Sequence, residues 1–316
     1  MKRSRYLDKL NADYPIRKTE EEKEKFRAYV HKRASAKGAV IQTENNGNNK
    51  NIVIGDTEKA KVIFTAHYDT PAKSVFPNIM IPRNKPLFFA YQFGIIALLL
   101  MVSIGVGYLV GMVGFANRSV FFLTFLVLYY GLYFRLFRFG KNPHNHNDNT
   151  SGVATLLTIL DGLDSQALKD TAFIFFDNEE KGKKGSKAYF AEHKTQMQNK
   201  LLVNFDCVGN GNTIVFIAQE QAEQLSAYPL LKECFASSKT YKVAFYPIKG
   251  SECNSDHKNF PCGVGCMACR TSKKGVLYTP YIHTPKDVCA SEENITFLSE
   301  KAIAFVQALQ TNENRS

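Results

Sequence analysis

Several short segments of this 316-residue chain carry side chains that can hold a metal ion or move a proton. His67-Tyr-Asp69 follows the β-rich run Val62-Ile-Phe-Thr-Ala. In extended backbone the two side chains fall on one side, so Asp69 can accept the second ring proton of the imidazole and orient His67, as carboxylates do for metal-bound histidines. Asn147-Asp148-Asn149-Thr-Ser-Gly152 is turn chemistry directly before an apolar helix, which suits capping as well as ligation. Phe173-Ile-Phe-Phe176 runs into Asp177-Asn178-Glu179-Glu180. Two adjacent carboxylates at the end of a buried strand repel unless a cation or a shared proton compensates. One of them binding metal while the other moves a proton is an economical reading; a solvated acidic turn among lysines is the alternative. Leu201-Leu-Val-Asn-Phe-Asp206 and His283-Thr-Pro-Lys-Asp287 add a further acid and a further histidine. Singly, each segment fits ordinary loop chemistry. Taken together, these side chains would converge at the carboxyl edge of one α/β sheet, where such sheets build their sites. Mixed imidazole and carboxylate ligation suits zinc, and two zincs sharing a carboxylate form the clamp of hydrolytic two-metal sites.

The elements that must position these residues alternate in type. Thr19 caps a helix opened by Glu20-Glu-Glu22, with Phe26, Tyr29 and Val30 at helical spacing. Short β-rich runs follow at 40–42, 51–54 and 62–66, separated by Asn- and Gly-rich turns. Further on, the pattern predicts a helix over 151–163, a strand over 172–176, a helix over 186–198, a strand over 201–205 and a last helix over 292–309. The strands at 172 and 201 are continuously apolar, as expected where helices cover both faces of a sheet. The fold class is α/β: a three-layer mixed sheet flanked by helices. There is no internal repeat, low-complexity tract or glycine-rich phosphate loop.

One stretch interrupts this pattern. Between Lys85 and Arg118 no residue is charged, and a second uncharged run covers 119–134. About 20 apolar residues span a bilayer core, so the first run suffices and the second suffices if Arg135 and Arg138 reach the headgroups. The expectation is a transmembrane helical hairpin at 85–140, with a tight turn near Gly114–Ser119, splitting the remaining domain into 1–84 and 141–316. Buried helices of a soluble core are the alternative. Arg83, Lys85, Arg135, Arg138 and Lys141 flank the hairpin while its turn holds Arg118 alone, which predicts a multi-pass membrane protein with both flanks, and the catalytic domain, cytoplasmic.

Composition agrees with a folded protein: 45% hydrophobic and 22% charged residues exclude disorder as the main state. Seven cysteines, most of them late in the chain, lack the paired spacing of a secreted disulfide scaffold, and Cys262-Gly-Val-Gly-Cys266-Met-Ala-Cys269 suits a buried strand better than a metal knuckle. The segment from Met1 through Lys2, Arg3 and Arg5 to Tyr14 has no apolar run of signal-peptide length. The surplus of 40 basic over 29 acidic residues is assigned to anionic lipid beside the hairpin, since no aromatic-basic interleaving points to nucleic acid. His144 and His146 are expected to be solvated or structural.

The ordered set His67-Tyr-Asp69, Asn147 to Gly152, Asp177 to Glu180 with Gly185-Ser186, Asp206, Ser255-Asp256-His257 and His283 to Asp287 resembles the dinuclear-zinc aminopeptidases of peptidase clan MH, nearest to the bacterial leucyl aminopeptidase and aminopeptidase Y and S family. The resemblance covers most of the chain except the hairpin. It implies the zinc-dependent exopeptidase (phosphorylase/hydrolase-like) fold and two zinc ions, one on His67 and Asp206, the other on Glu180 and His283, with Asp148 bridging. It further implies Glu179 as general base, Asp69 as the residue orienting His67, a peptide substrate with a free N-terminus, and Ser255, Asp256 and His257 along the substrate side of the cleft. Two other readings stay open: a glutaminyl-cyclase-like reaction of the same clan, and a noncatalytic receptor-type binding module, against which the retained ligand positions argue.

Overall fold

The computed structural model describes residues 6–113 and 118–313. Met1, Lys2, Arg3 and Arg5, and the hairpin turn at 114–117, lie outside the described residues. Ten strands form one mixed sheet: β1 (Ile41–Asn46), β2 (Asn49–Ile54), β3 (Val62–His67), β4 (Asn78–Met80), β5 (Thr171–Phe176), β6 (Leu201–Phe205), β7 (Thr213–Ala218), β8 (Lys242–Pro247), β9 (Gly263–Thr271) and β10 (Leu277–Ile282). Their order is β1-β2-β5-β3-β6-β9-β10-β4, with β7 paired to β9 and β8 beside it. The helices are α1 (Tyr6–Asp13), α2 (Glu20–Ala36), α3 (Lys85–Val113), α4 (Arg118–Phe137), α5 (Gly152–Gly162), α6 (Ser165–Lys169), α7 (Lys184–Glu192), α8 (Lys194–Met197), α9 (Ala227–Cys234) and α10 (Glu292–Glu313).

The central strands β5, β3 and β6 are mutually parallel neighbours. Because side chains alternate across a strand, each feeds two cores. Phe64, Phe173, Phe175 and Phe205 join Phe26 of α2, Leu156 of α5 and Leu298 of α10 on one face. Ile63, Ile174, Phe176 and Leu202 meet Tyr189 of α7, Met197 of α8 and Phe260 on the other. That burial on both faces is why these strands read as unbroken apolar runs.

The cap at Thr19 forms as expected, with the Glu22 carboxylate accepting from the Thr19 amide and the Thr19 hydroxyl accepting from the Glu22 amide. One expectation needs correcting: the helix foreseen over 186–198 is two, broken at His193, whose ring stacks on Tyr189 and bonds Glu44 of β1. The cysteines are all free, and Cys262, Cys266 and Cys269 lie buried in or beside β9.

The two uncharged runs form α3 and α4, both long and apolar enough to cross a membrane by length and composition. At 1.5 Å per residue, the 29 residues of α3 and the 20 of α4 reach roughly 43 and 30 Å, against a hydrocarbon core of roughly 30 Å. They pack on each other along a seam of Leu99, Ser103, Gly107 and Gly111, four residues apart, where small side chains admit Phe121 of α4. Their outward residues, including Phe93, Met101, Leu109, Leu123 and Val127, are exposed. The hairpin has a clear structural root. β4 lies just before α3 and pairs antiparallel with β10, setting Asn78 opposite Ile282, one residue before His283.

Candidate metal centre

β3, β5 and β6 end together because they run parallel in adjacent positions, so His67, the Asp177–Glu180 turn and Asp206 emerge at one edge of the sheet. Asp148 arrives from the irregular turn at 146–151, and His283 from the end of β10. The turn after β5 starts with Asn178 in the left-handed region (φ 54°), which lifts Glu179 and Glu180 toward the site. Cys207 (φ 56°) and His283 (φ 67°) sit in the same sparsely populated region beside site residues, where local backbone strain typically collects. Two glycines are fixed by close approach. A Cβ on Gly152 would lie 2.3 Å from the Phe205 carbonyl, and one on Gly185 2.1 Å from that of Asp177.

The side chains expected to hold metal come together. His67 Nε2 lies 3.3 Å from Asp148 Oδ1 and 3.7 Å from Asp206 Oδ1. His283 Nε2 lies 3.1 Å from the other Asp148 oxygen and 3.2 Å from Glu180 Oε2. His67 with Asp148 and Asp206, and Asp148 with Glu180 and His283, each bring their possible ligand atoms within 4.8 Å of one another, and so do His67, Glu179 and Glu180. Asp69 accepts the backbone amides of Glu179 and Glu180 at 2.9 and 3.2 Å, and its Oδ1 lies 3.5 Å from His67 Nδ1. One carboxylate therefore faces the imidazole and anchors the acidic turn. Glu180 Oε1 and Asp206 Oδ1 are buried without a hydrogen-bond partner among the described residues.

The electrostatics follow from crowding. Burial pushes Glu179 well above the usual carboxylate range; His67 opposes this, while the charges of Asp256, Glu180 and Asp206 add to it. Burial likewise raises Glu180. Burial also disfavours an ionised Asp148, but hydrogen bonds from His283 and His67 outweigh it and hold the group below its ordinary value. Burial disfavours a charged His67, yet Asp148, Asp206 and Asp69 draw it toward the protonated form. Several buried carboxylates thus ask for positive charge, which a divalent cation can supply more fully than two imidazole protons.

Of the segment 255–257, Ser255 borders the central cavity of about 240 Å3 that Asp148, Glu179, Glu180, Asp206 and His283 also line. Asp256 and His257 do not line it. Asp256 is buried against the Ser186 hydroxyl, and His257 is packed on Gly265 with neither ring nitrogen hydrogen-bonded among the described residues. His144 and His146 stand outside the cluster, the half-buried His146 ring held by burial below its ordinary pKa.

Sequence reasoning passed over three supports. Asp287 accepts the amides of Asn147 and Asp148 at 3.1 and 3.0 Å and so fixes the turn that carries Asp148; burial, then the Asp148 charge, push it up to about 7. Arg17, fully buried, donates to the carbonyls of Tyr68 and Tyr14 and to Thr150. Lys23 pairs with Asp177 at the start of the acidic turn. Asp287 belonged to a segment already singled out, but the two cations lie on polar, N-terminal segments with no local pattern to mark them.

Residues 141–305, just over half of the chain, match Peptidase family M28. The chain belongs to that family. The match begins after the hairpin, so His67 and Asp69 lie ahead of it. Among solved structures, the glutaminyl cyclase of Porphyromonas gingivalis is similar at 14% identity with a TM-score of 0.59, covering 96% of each chain. The LapA aminopeptidase of Legionella pneumophila is similar at 17% identity with a TM-score of 0.55, over 96% of this chain and 70% of that one. The Bacteroides thetaiotaomicron glutaminyl cyclase bound to N-acetylhistamine is similar at 14% identity with a TM-score of 0.56, over 95% and 94% of the two chains. At these identities the likeness speaks for the mixed-sheet fold of this M28 protein. No curated protein matches it in sequence.

Proposed function

We propose that this M28 protein is a membrane-anchored, zinc-dependent aminopeptidase that hydrolyses N-terminal residues from peptides. The observation that carries the reading is the position of Asp148, one oxygen facing His67 and the other His283. A carboxylate bridging two cations needs that arrangement. In this reading His67 and Asp206 hold one zinc, Glu180 and His283 hold the other, and Asp148 is shared. The donor set fits: imidazole nitrogens and carboxylate oxygens are zinc ligands, and the unpartnered buried oxygens of Glu180 and Asp206 are free to ligate. When bound, zinc supplies Lewis-acid polarisation of the scissile carbonyl and a water nucleophile at neutral pH.

The remaining steps belong to side chains. Glu179 takes the proton of the attacking water on its carboxylate and returns it to the leaving amine. Asp69 holds the His67 ring and, through the two amides it accepts, keeps Glu179 and Glu180 in register. Ser255 borders the substrate cavity. The free α-amine of the peptide binds toward Glu180 and His283, restricting cleavage to the first residue.

The anchoring half of the proposal rests on the exposed apolar surface of α3 and α4. In this reading the hairpin at 85–140 is inserted between the two parts of the peptidase domain, 1–84 and 141–316, and the basic residues on its flanks favour the cytoplasmic side for that domain.

The test is a panel of aminoacyl amides with added zinc, comparing wild type with Glu179→Ala. The variant is expected to keep its zinc by elemental analysis and lose ~10²–10⁴-fold in kcat. Equal turnover would remove Glu179 as the base. A second reading draws on the near-complete mutual coverage with the Porphyromonas gingivalis glutaminyl cyclase. Under it, N-terminal glutamine closes on its own carboxamide with loss of ammonia. A glutamine-initiated peptide separates the two, giving free glutamine in the first case and a pyroglutamyl peptide in the second.

A further inference from the structure

The catalytic cavity does not end at its metal-ligand wall. A second cavity, of about 360 Å3, opens from the same side chains: Asn78, Arg138, Glu180 and His283 border both. Its far wall is the hairpin, with Gln92, Ile95 and Leu99 from α3 and Tyr129, Tyr133 and Phe137 from α4. From Phe137 to Tyr129 the lining climbs eight residues of α4, about 12 Å along the helix axis. A volume of this size lies within the ordinary range of ligand pockets. Ile96 and Tyr133 of that wall are 42% and 39% exposed, so the wall opens sideways, toward the surface on which lipid would lie. Above Arg138 the hairpin's contribution is uncharged, whereas the shared end is ionic.

The root of the hairpin holds this alignment. The Ser74 amide donates to the His283 carbonyl at 2.8 Å, the Val75 amide donates to the Leu136 carbonyl at 2.8 Å, Phe76 stacks on Phe137, and Gln92 bonds Asn78. A chamber that shares a wall with a peptide-cleaving centre, and whose far side carries Ile95, Ile96 and Leu99 of α3 and the rings of Tyr129, Tyr133 and Phe137 of α4, has one economical occupant. We propose that it receives the apolar N-terminal side chain of a peptide partitioned into the membrane surface, so that the hairpin selects substrate as well as anchoring the enzyme. The inference rests on the aminopeptidase reading of the adjoining centre.

The experiment uses the full chain with zinc in phospholipid nanodiscs. Peptides identical except for N-terminal Ala or Phe give the ratio of kcat/KM, and a third with N-terminal photoleucine reports contact by crosslinking. Wild type should prefer Phe by tenfold or more and crosslink within residues 92–99 or 129–137. Leu99→Trp and Ile95→Trp, checked for retained zinc as a sign of folding, fill the chamber. Each should lower the Phe-to-Ala ratio at least tenfold and suppress the crosslink. Val127→Trp, on the lipid face and outside the lining, should leave the ratio within twofold. Hydrolysis with a ratio near one, or with a ratio unmoved by both filling variants, overturns the chamber and spares the peptidase reading. Crosslinking in the chamber without hydrolysis of any peptide overturns the peptidase reading and spares the chamber. Absence of both sinks the two together.

Discussion

The edge of the sheet and the helical hairpin handle polarity in opposite ways. At the edge, charged groups are buried and answered from within the protein: Asp69 by two backbone amides, Asp177 by Lys23, and Asp148 by two histidines and by the Asp287-held turn. In the hairpin, apolar groups face outward, and nothing else among the described residues covers Phe93, Leu109 or Val127, each at 63% exposure. In the proposed reading, cations complete the first region. The second, in the proposed reading, meets lipid. Exposed apolar patches of this extent mark interaction surfaces, and two helices of bilayer length are the reason lipid is the partner we propose.

The comparison breaks most visibly if the shared carboxylate is not the pivot of the edge. Asp148→Ala removes the carboxylate whose two oxygens face His67 and His283. Zinc content should fall from about two ions per chain to less than one, and hydrolysis to background. Unchanged stoichiometry would take Asp148 out of the ligand set and leave the crowding of acids unexplained. Next in size is Lys23→Met, which strands the buried Asp177 carboxylate. Breaking a buried pair from one side costs about 3–5 kcal/mol, and denaturation of the detergent-solubilised protein measures it. A loss below about 1 kcal/mol would mean that water reaches the turn and that the edge is less closed than described.

The hairpin half is tested by charge. Val127 lies at the middle of α4 and points outward. If the helix stands in water, Val127→Arg changes stability by no more than about 0.5 kcal/mol, as surface substitutions do. If it spans a bilayer, the same change costs about 2.5–3.5 kcal/mol at the helix centre, and the protein should be depleted from the membrane fraction. Equal membrane yield of variant and wild type would return α3 and α4 to the soluble reading.

How much of this was legible in the sequence depends on whether the cause is local. His283 stands out only in the company of the His67, Asp148, Glu179–Glu180 and Asp206 segments, which stand out together because each follows an apolar run or opens a helix. The uncharged stretches announce α3 and α4 for the same reason. What stayed hidden is pairing at a distance. β4 has three residues and exists through its partner β10. β10 contains Pro280, a residue that argues against a strand and here sits where the register of that pairing shifts, between Thr279 and Ile282. Arg17 and Lys23 look like surface residues until the fold closes over them. Even the seam of Leu99, Ser103, Gly107 and Gly111 is visible in sequence only to a reader already asking which face of α3 meets α4. Asp256 and His257 belong to the same recognised segment as Ser255 but are buried and are not among the residues that line the cavity.

His257 is also where the sheet region departs from its own rule, because this polar side chain is fully buried with no hydrogen bond to answer it among the described residues. Burial, then the charge of Lys258, depress its pKa to about 3. The unfolded chain, with an ordinary imidazole near 6.5, therefore binds a proton that the folded chain refuses. Stability contributed by the neutral ring is complete above pH ~6.5 and is lost as pH falls toward the folded value, by about 1.4 kcal/mol per unit between those limits. His257→Leu keeps the apolar packing against Gly265 and removes the titration. Its apparent melting temperature should match wild type within a few degrees at pH 7.5 and exceed it progressively at pH 5.5 and 5.0. Parallel acid profiles for the two proteins would show that the ring is protonated in the fold, so that it has a partner after all and obeys the rule of the sheet edge.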